Sequence, residues 1–222
     1  MKSSSHSYEY PCIILFIFTA VMDSFKIFRN ISFFQELSDE EIAILVSIST
    51  PKLLKRREKL AEPGKHFNHL FILSNGLVRF FFDDENGVES TLFLPSEKEA
   101  VIMESPESYA NDNERKYTIE AVLESQIFLF NKNEFEELAF QHRGIYNVYL
   151  KSLKQIISIL KIRTEQFCST SPHSRYEEFL ETRPFTSQNA NRKYIANFLG
   201  ITPNSLSRMT ARIHKKRNER KK

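Results

Sequence analysis

Apolar positions recur with two different periods along this 222-residue chain, and the change of period divides it. The first spacing is helical. Phe25, Ile27 and Phe28 mark a short helix over Asp23–Asn30, and Ser38-Asp39-Glu40-Glu41 then places a hydroxyl at a cap with a carboxylate three residues on. That box opens a second helix with Ile42, Leu45, Val46 and Ile48 inward. From Pro51 to Phe130 the pattern shortens to β-type runs: Lys52–Arg56, Leu70–Leu73, Leu77–Phe82, Thr91–Leu94, Tyr117–Val122 and Gln126–Phe130. Asn75-Gly76 and Asn86-Gly87 read as hairpin turns, with Pro63-Gly64 as a further turn. Short antiparallel strands with such turns predict a small β-barrel or jelly roll.

The helical period returns at Asn133–Phe140 and in a long helix over Gly144–Phe167. One stripe of the long helix holds Tyr146, Leu150, Leu153, Ile157, Leu160 and Phe167, and a second beside it holds Ile145, Tyr149, Ile156 and Ile159. One stripe suffices to cover the barrel. The other would be exposed in a monomer, so Tyr146, Leu150, Leu153, Ile157 and Leu160 are expected to form a parallel coiled-coil homodimer interface. A buried core helix is the alternative. The polar run Cys168–His173 reads as a hinge, and Ser174–Thr182 as a helix with Tyr176, Phe179 and Leu180 inward, stopped by Pro184.

Asn191–Ile213 reads as two short helices and a tight turn. Tyr194, Ile195, Phe198 and Leu199 share one face, and Gly200 follows where a helix end favours positive φ. Thr202 is a hydroxyl cap and Pro203 stands at a first helical position, so a second helix starts at once. Its apolar residues are Leu206, Met209 and Ile213, and its other face carries Asn204, Ser205, Ser207, Arg208 and Arg212. The small Ala196 lets the helices cross closely, as a helix-turn-helix requires. An αα-hairpin that merely packs is the bland alternative.

Ile195-Ala196, Leu199–Pro203 and Leu206-Ser207-Arg208 resemble the I-A-x-x-L-G-I-T-P-E-T-L-S-R stretch of the Crp/Fnr family of bacterial transcription regulators. Asn204 and Ser205 depart from it; since asparagine prefers adenine, the family's usual half-site is not assumed. Glu62-Pro63-Gly64, Leu70–Leu73 and Gly76–Arg79 likewise resemble the opening of a cyclic-nucleotide-binding-type barrel, and Tyr176 to Leu180 resembles the family's R-Y-x-x-F-L scaffold. The resemblance, over about Asp23–Ile213, implies an α+β fold: an antiparallel β jelly-roll barrel over residues 23–143, a dimerisation helix and hinge over 144–168, and a winged helix-turn-helix domain over 169–222. It implies a regulator rather than an enzyme, with double-stranded DNA carrying an inverted repeat, a second copy of the chain and RNA polymerase as partners.

Charge sharpens this. Residues 191–222 hold ten Lys and Arg against the single acid Glu219, a net of +9 within a chain of net +3, which leaves −6 for the first 190 residues. The basic end would meet a polyanion. Arg208 is the candidate for a bidentate contact to guanine, with Thr202, Asn204, Ser205 and Ser207 beside it and Arg192, Lys193, Arg212, Lys215 and Lys216 on phosphates.

Between Ser96 and Glu124 eight acids face Lys98, Arg115 and Lys116, a local −5 that disfavours a phosphate. In the family an arginine followed by small residues neutralises the nucleotide. Arg115 stands near that place with Thr118 after it, yet Tyr117 and Thr118 are large, so the barrel is expected not to respond to a cyclic nucleotide. A small-molecule-binding regulatory module that does not act through DNA is the competing function. His66 and His69 lack the H-x-H and carboxylate of a jelly-roll metal enzyme, and no cofactor is expected. Two cysteines, Cys12 and Cys168, supply neither a disulfide framework nor the four thiolates of an iron–sulfur cluster, in keeping with a cytoplasmic protein. Cys12–Met22 is an uncharged run of eleven residues, too short for a membrane helix and without a small-x-small cleavage site. Met22-Asp23 resembles a natural start, and residues 1–22 are an uncertain extension, read as an upstream artefact or an arm.

Overall fold

The computed structural model describes residues 22–99, 102–106 and 116–219, with side chains as far as Ile213 and without that of Lys98. Residues 1–21 of the extension, and Arg115, lie outside the described residues, whereas Met22 belongs to the first helix. Helix α1 covers residues 22–30, and α2, Asp39–Ser47, opens on the expected capping box: Glu41 N–H donates to the Ser38 hydroxyl, and Ser38 N–H donates to the Glu41 carboxylate. Seven strands follow: β1 Thr50–Leu54, β2 Lys59–Ala61, β3 His69–Asn75, β4 Val78–Asp83, β5 Glu89–Phe93, β6 Thr118–Ala121 and β7 Ser125–Asn131.

The strands form two antiparallel sheets, ordered β1-β7-β3 and β2-β6-β4-β5 among the described residues. Among the described residues they do not close into one barrel, where the pattern predicts a small barrel or jelly roll. Phe71 of the first sheet stacks on Phe80 of the second with ring centroids 6.0 Å apart. A contiguous apolar core, including Phe28, Phe34, Phe128, Phe130 and Phe135, runs from the sheets to the flanking helices. The phenylalanines do the packing that tryptophan often shares: the chain has twenty Phe and no Trp.

Asn75-Gly76 is not a hairpin. It joins β3 in one sheet to β4 in the other. Gly76 is required there for a different reason: its φ is +108°, and a Cβ on it would lie 2.7 Å from the Glu124 carbonyl oxygen. Asn86-Gly87 does turn a hairpin, β4 to β5, but within a five-residue loop whose Asp84 carboxylate accepts from the N–H groups of Asn86 and Val88.

Helix α3, Lys132–Gln141, leads into the 27-residue α4, Arg143–Ser169. Ile145, Val148, Ser152 and Ile156 of α4 are buried against the core, and Ser152 fixes its register by accepting from Ile102 N–H at 2.8 Å and donating to Ile102 C=O at 3.0 Å. The other stripe faces outward, with Ile157 at 64 % exposure and Tyr146 at 42 %. Four helices follow among the described residues: α5 Pro172–Thr182, α6 Pro184–Asn189, α7 Arg192–Leu199 and α8 Pro203–Glu219. Pro184 therefore begins a helix as well as ending one, since at its first position a missing N–H leaves no bond unmade. Among the described residues this C-terminal stretch has no strand, so the expected wing is not present in it.

Candidate nucleic-acid interface

The geometry of α7 and α8 follows from their ends. Asn191 caps α7, its side chain accepting from Lys193 N–H at 2.9 Å. At the other end Gly200 adopts φ 67°, ψ 39°; its N–H donates to Asn197 C=O and that of Ile201 to Ala196 C=O, a Schellman closure. Thr202 then caps α8 by accepting from Ser205 N–H at 3.2 Å. Ala196 is fully buried where the helices cross, and Tyr176, Phe179, Ile195, Leu199, Leu206, Met209 and Ile213 form one small core around it. Leu206, Met209 and Ile213 are thus used inward. Asn204, Ser207, Arg208 and Arg212 stand exposed on the opposite side of α8, Thr202 is exposed at its start, and Ser205 is half-buried.

Within that face, among the described residues, Arg208 is held only by a long contact to the Ser205 hydroxyl, 3.4 Å. Arg192 donates to Thr210 Oγ1 at 3.0 Å, and Tyr176 OH shares the same oxygen. Lys193 points elsewhere, to the Glu89 carboxylate on β5 at 3.2 Å. Lys215 and Lys216 continue α8, and their side chains lie outside the described residues. Thr118, the other candidate ligand residue, is buried at the start of β6 opposite Phe81 of β4.

The contact made by Lys193 belongs to a cluster that the sequence did not announce. Arg79 on β4 is 2 % exposed, sits opposite Glu120 of β6 in register, and donates to it at 3.1 Å and to Glu89 at 3.0 Å. Its guanidinium lies between the Phe81 and Tyr194 rings, 3.7 and 3.8 Å from their centroids. Tyr194 OH also reaches Glu120 at 3.4 Å. Partial burial pushes the Glu89 carboxyl up, but hydrogen bonds and charge from Arg79 and Lys193 outweigh it and hold it below the ordinary value. Helix α7 therefore seats its first turn on the second sheet. The available signal was a charge in each of two apolar strands, VRFFF and TIEA, which demands a buried partner.

The far end of α7 is held by arginines. Arg163 of α4 donates to Thr91 C=O on β5 at 3.0 Å and to Phe198 C=O at 2.7 Å, while Arg175 of α5 donates to Thr170 C=O at 2.7 Å. Arg183 pairs with Glu99 at 3.0 Å. Burial, followed by the Arg183 and Arg175 charges, pulls Arg163 down to about 10, so it is still a cation at neutral pH. Burial pushes the Glu99 carboxyl up in spite of Arg183 beside it. Behind these groups lies a cavity of about 320 Å³ bounded by the second sheet, α4 and the C-terminal helices.

Residues 51–142 match the cyclic nucleotide-binding domain family. No curated protein sequence matches the chain. Among solved structures, FixK2 from Bradyrhizobium japonicum is similar with a TM-score of 0.63 at 14% identity, over 76% of this chain and 86% of that one. A protein of Eubacterium rectale described as a Crp/Fnr-family transcriptional regulator gives 0.64 at 16% identity, over 83% and 87%. A CooA variant from Carboxydothermus hydrogenoformans gives 0.59 at 17% identity, over 78% of each chain. Residues 51–142 thus match the cyclic nucleotide-binding domain family, in a chain whose fold is similar to that of solved Crp/Fnr-type regulators.

Proposed function

We propose that this chain is a sequence-specific, dimeric DNA-binding transcription regulator of the Crp/Fnr type, with residues 169–222 as its helix-turn-helix domain, and that it does not use a cyclic nucleotide. The observation that carries the reading is the division of α8: its apolar side completes the small core, and its outward side presents Asn204, Ser207, Arg208 and Arg212 to solvent. A recognition helix needs that division, because side chains committed to packing do not reach base edges. Arg208 reads guanine in this proposal, Thr202, Asn204, Ser205 and Ser207 line the same groove, and Arg192, Arg212, Lys215 and Lys216 hold phosphates. Lys193, engaged by Glu89, contributes once that half-exposed pair opens.

The outward stripe of α4 supports a two-fold dimer through Tyr146, Leu150, Leu153, Ile157 and Leu160, which would place two copies of α8 on an inverted repeat. RNA polymerase is the further partner of such a regulator, and the cytoplasm its setting; no helix among the described residues is long and apolar enough to cross a membrane. Against nucleotide use stands the excess of acids between Ser96 and Glu124, of which Glu120 on β6 and Glu104 are neutralised by Arg79 and Lys132 and the rest carry the argument.

Selection of the full chain on a randomised duplex library, with a salt titration, tests the reading. An enriched inverted repeat is expected. Arg208→Ala should cost about 1–3 kcal/mol and relax one base position, whereas Lys215→Ala should weaken all sequences alike and lower the salt slope by about one. Equal loss on selected and random DNA for Arg208→Ala would remove it from base reading, and absence of salt-dependent binding would favour a ligand-binding module that does not act through DNA.

A further inference from the structure

The first 190 residues are acidic in sum, at −6, yet one short stretch within them is the reverse. Lys52, Lys55, Arg56, Arg57 and Lys59 stand against the single acid Glu58, a net of +4 between residues 52 and 59. Lys52 pairs with Glu58 at 3.4 Å and Lys59 with Glu62 at 3.5 Å. Lys55, Arg56 and Arg57 are exposed at the turn between β1 and β2, and among the described residues none of their side chains is in an ion pair or hydrogen bond. The turn is closed by Glu58 N–H donating to Lys55 C=O at 2.8 Å. It is tied to β6, since Arg57 N–H donates to Ala121 C=O at 2.7 Å and Ala121 N–H to Glu58 C=O at 2.9 Å. Arg57 has φ 69°, the one positive φ outside glycine among the described residues. At that third position of a turn Gly or Asn is the ordinary choice, and strain of this kind clusters where a side chain is used.

Sheet order brings this turn beside the basic start of α7. The second sheet runs β5-β4-β6-β2, and the first turn of α7 meets three of these strands in succession. Lys193 pairs with Glu89 of β5, and Tyr194 stacks on Arg79 of β4 and reaches Glu120 of β6. Glu120 in turn is paired in register with Lys59, the first residue of β2 and two positions after Arg57. The unpaired cations of the turn thus precede the strand next beyond the one that Tyr194 reaches.

We propose that Lys55, Arg56 and Arg57 form a second phosphate-binding strip, outside the helix-turn-helix, which holds the backbone of the duplex flanking the bases read by α8. The inference rests on the DNA-binding reading above. Three neighbouring cations with no apolar residue between them and no partner among the described residues suit a polyanion, and guanidinium groups match phosphate oxygens in pairs. Contacts of this kind carry no sequence information, so they add affinity and salt dependence rather than base preference. In the two-fold dimer each copy supplies one strip.

The test is binding of the full chain to its selected repeat, alone and with about one helical turn of added duplex on each side, over a salt titration. The parent should bind the longer duplex about tenfold or more tighter at low salt, with a salt slope steeper by about two or more. The triple variant Lys55→Ala, Arg56→Ala, Arg57→Gly should remove both differences and bind the short duplex as the parent does. Arg57→Gly alone should reduce the preference for the longer duplex while its melting temperature stays at or above the parent's, because glycine accepts the φ of 69°. An arginine with a merely structural role would not separate those two readouts. Equal affinity of the parent for both lengths, a triple variant that keeps the difference, or an equal loss on both lengths would overturn the strip, leave the helix-turn-helix reading standing and turn the assignment toward an acidic protein surface. Absence of salt-dependent binding to either duplex would overturn both.

Discussion

Replacing Arg79 by methionine isolates the most consequential charge in the fold. Arg79 is 2 % exposed and Glu120 opposite it 7 %, so the substitution leaves a buried carboxylate without its cation. Breaking a buried pair from one side in this way costs about 3–5 kcal/mol. Methionine keeps most of the volume between the Phe81 and Tyr194 rings, so the loss reports charge more than cavity. Set against a typical domain stability of about 5–15 kcal/mol, that is about a fifth or more of the whole. Urea unfolding followed by far-ultraviolet circular dichroism measures it, the chain having no tryptophan to report by fluorescence.

The double variant Arg79→Met, Glu120→Leu supplies the control. If the single loss is the stranded carboxylate, removing it as well should recover most of the stability, since two apolar side chains of similar volume can replace a buried pair at little net change. A single variant within about 1 kcal/mol of the parent would refute the reasoning, because that is the range of an exposed pair. So would a double variant no better than the single one.

Other perturbations probe other parts of the fold. Gly200→Ala forces an L residue to φ +67° and brings a Cβ within 2.6 Å of Phe167 Cε1; the conformational part alone is about 1–2 kcal/mol, a fall in melting temperature of several degrees. Glutamates at both Ile157 and Leu160, which are 64 % and 37 % exposed, should leave the fold intact and give a monomer in sedimentation equilibrium; an unchanged dimer would place the interface elsewhere. Glu89 titrates below its ordinary 4.5 in the folded chain, so its contribution is complete above that value and is lost as pH falls below it. Glu89→Gln should therefore be less sensitive than the parent to acidification from pH 6 to pH 3, measured by urea unfolding, and an identical slope would remove Glu89 from the acid response.

Local rules were enough wherever the cause was local. The Ser38–Glu41 box, the Gly200 closure and the Thr202 cap each depend on residues within five positions of one another, and each appears with the hydrogen bonds the sequence implies. The two stripes of α4 were separable because burial follows the 3.6-residue period. What was not legible depends on pairing across the chain. Asn75-Gly76 has hairpin chemistry, yet β7 captures β3 and β6 captures β4, so the glycine serves a close approach to Glu124 instead. Arg79 and Glu120 are 41 positions apart and meet only through strand register. Lys193 was counted with the basic residues by composition, and its turn toward Glu89 follows from the seating of Tyr194 beside Arg79.

The magnitudes of these contacts decide which of them yield. Lys193 is 57 % exposed at its side chain and Glu89 27 %, so their pair belongs to the class worth at most about 1 kcal/mol. The Arg79–Glu120 pair beneath it is buried and belongs to the class whose one-sided rupture costs about 3–5 kcal/mol. A competing phosphate can therefore draw Lys193 away without unseating α7, whose other end is still bonded through Phe198 to Arg163. Because α8 is joined to α7 by only three residues after Leu199, with Gly200 fixed by its closure, the outward face of α8 keeps its orientation to the sheets while Lys193 changes partner. On the proposed DNA-binding reading, a phosphate reached by Lys193 would therefore open only this half-exposed ion pair and leave the packed units as they are.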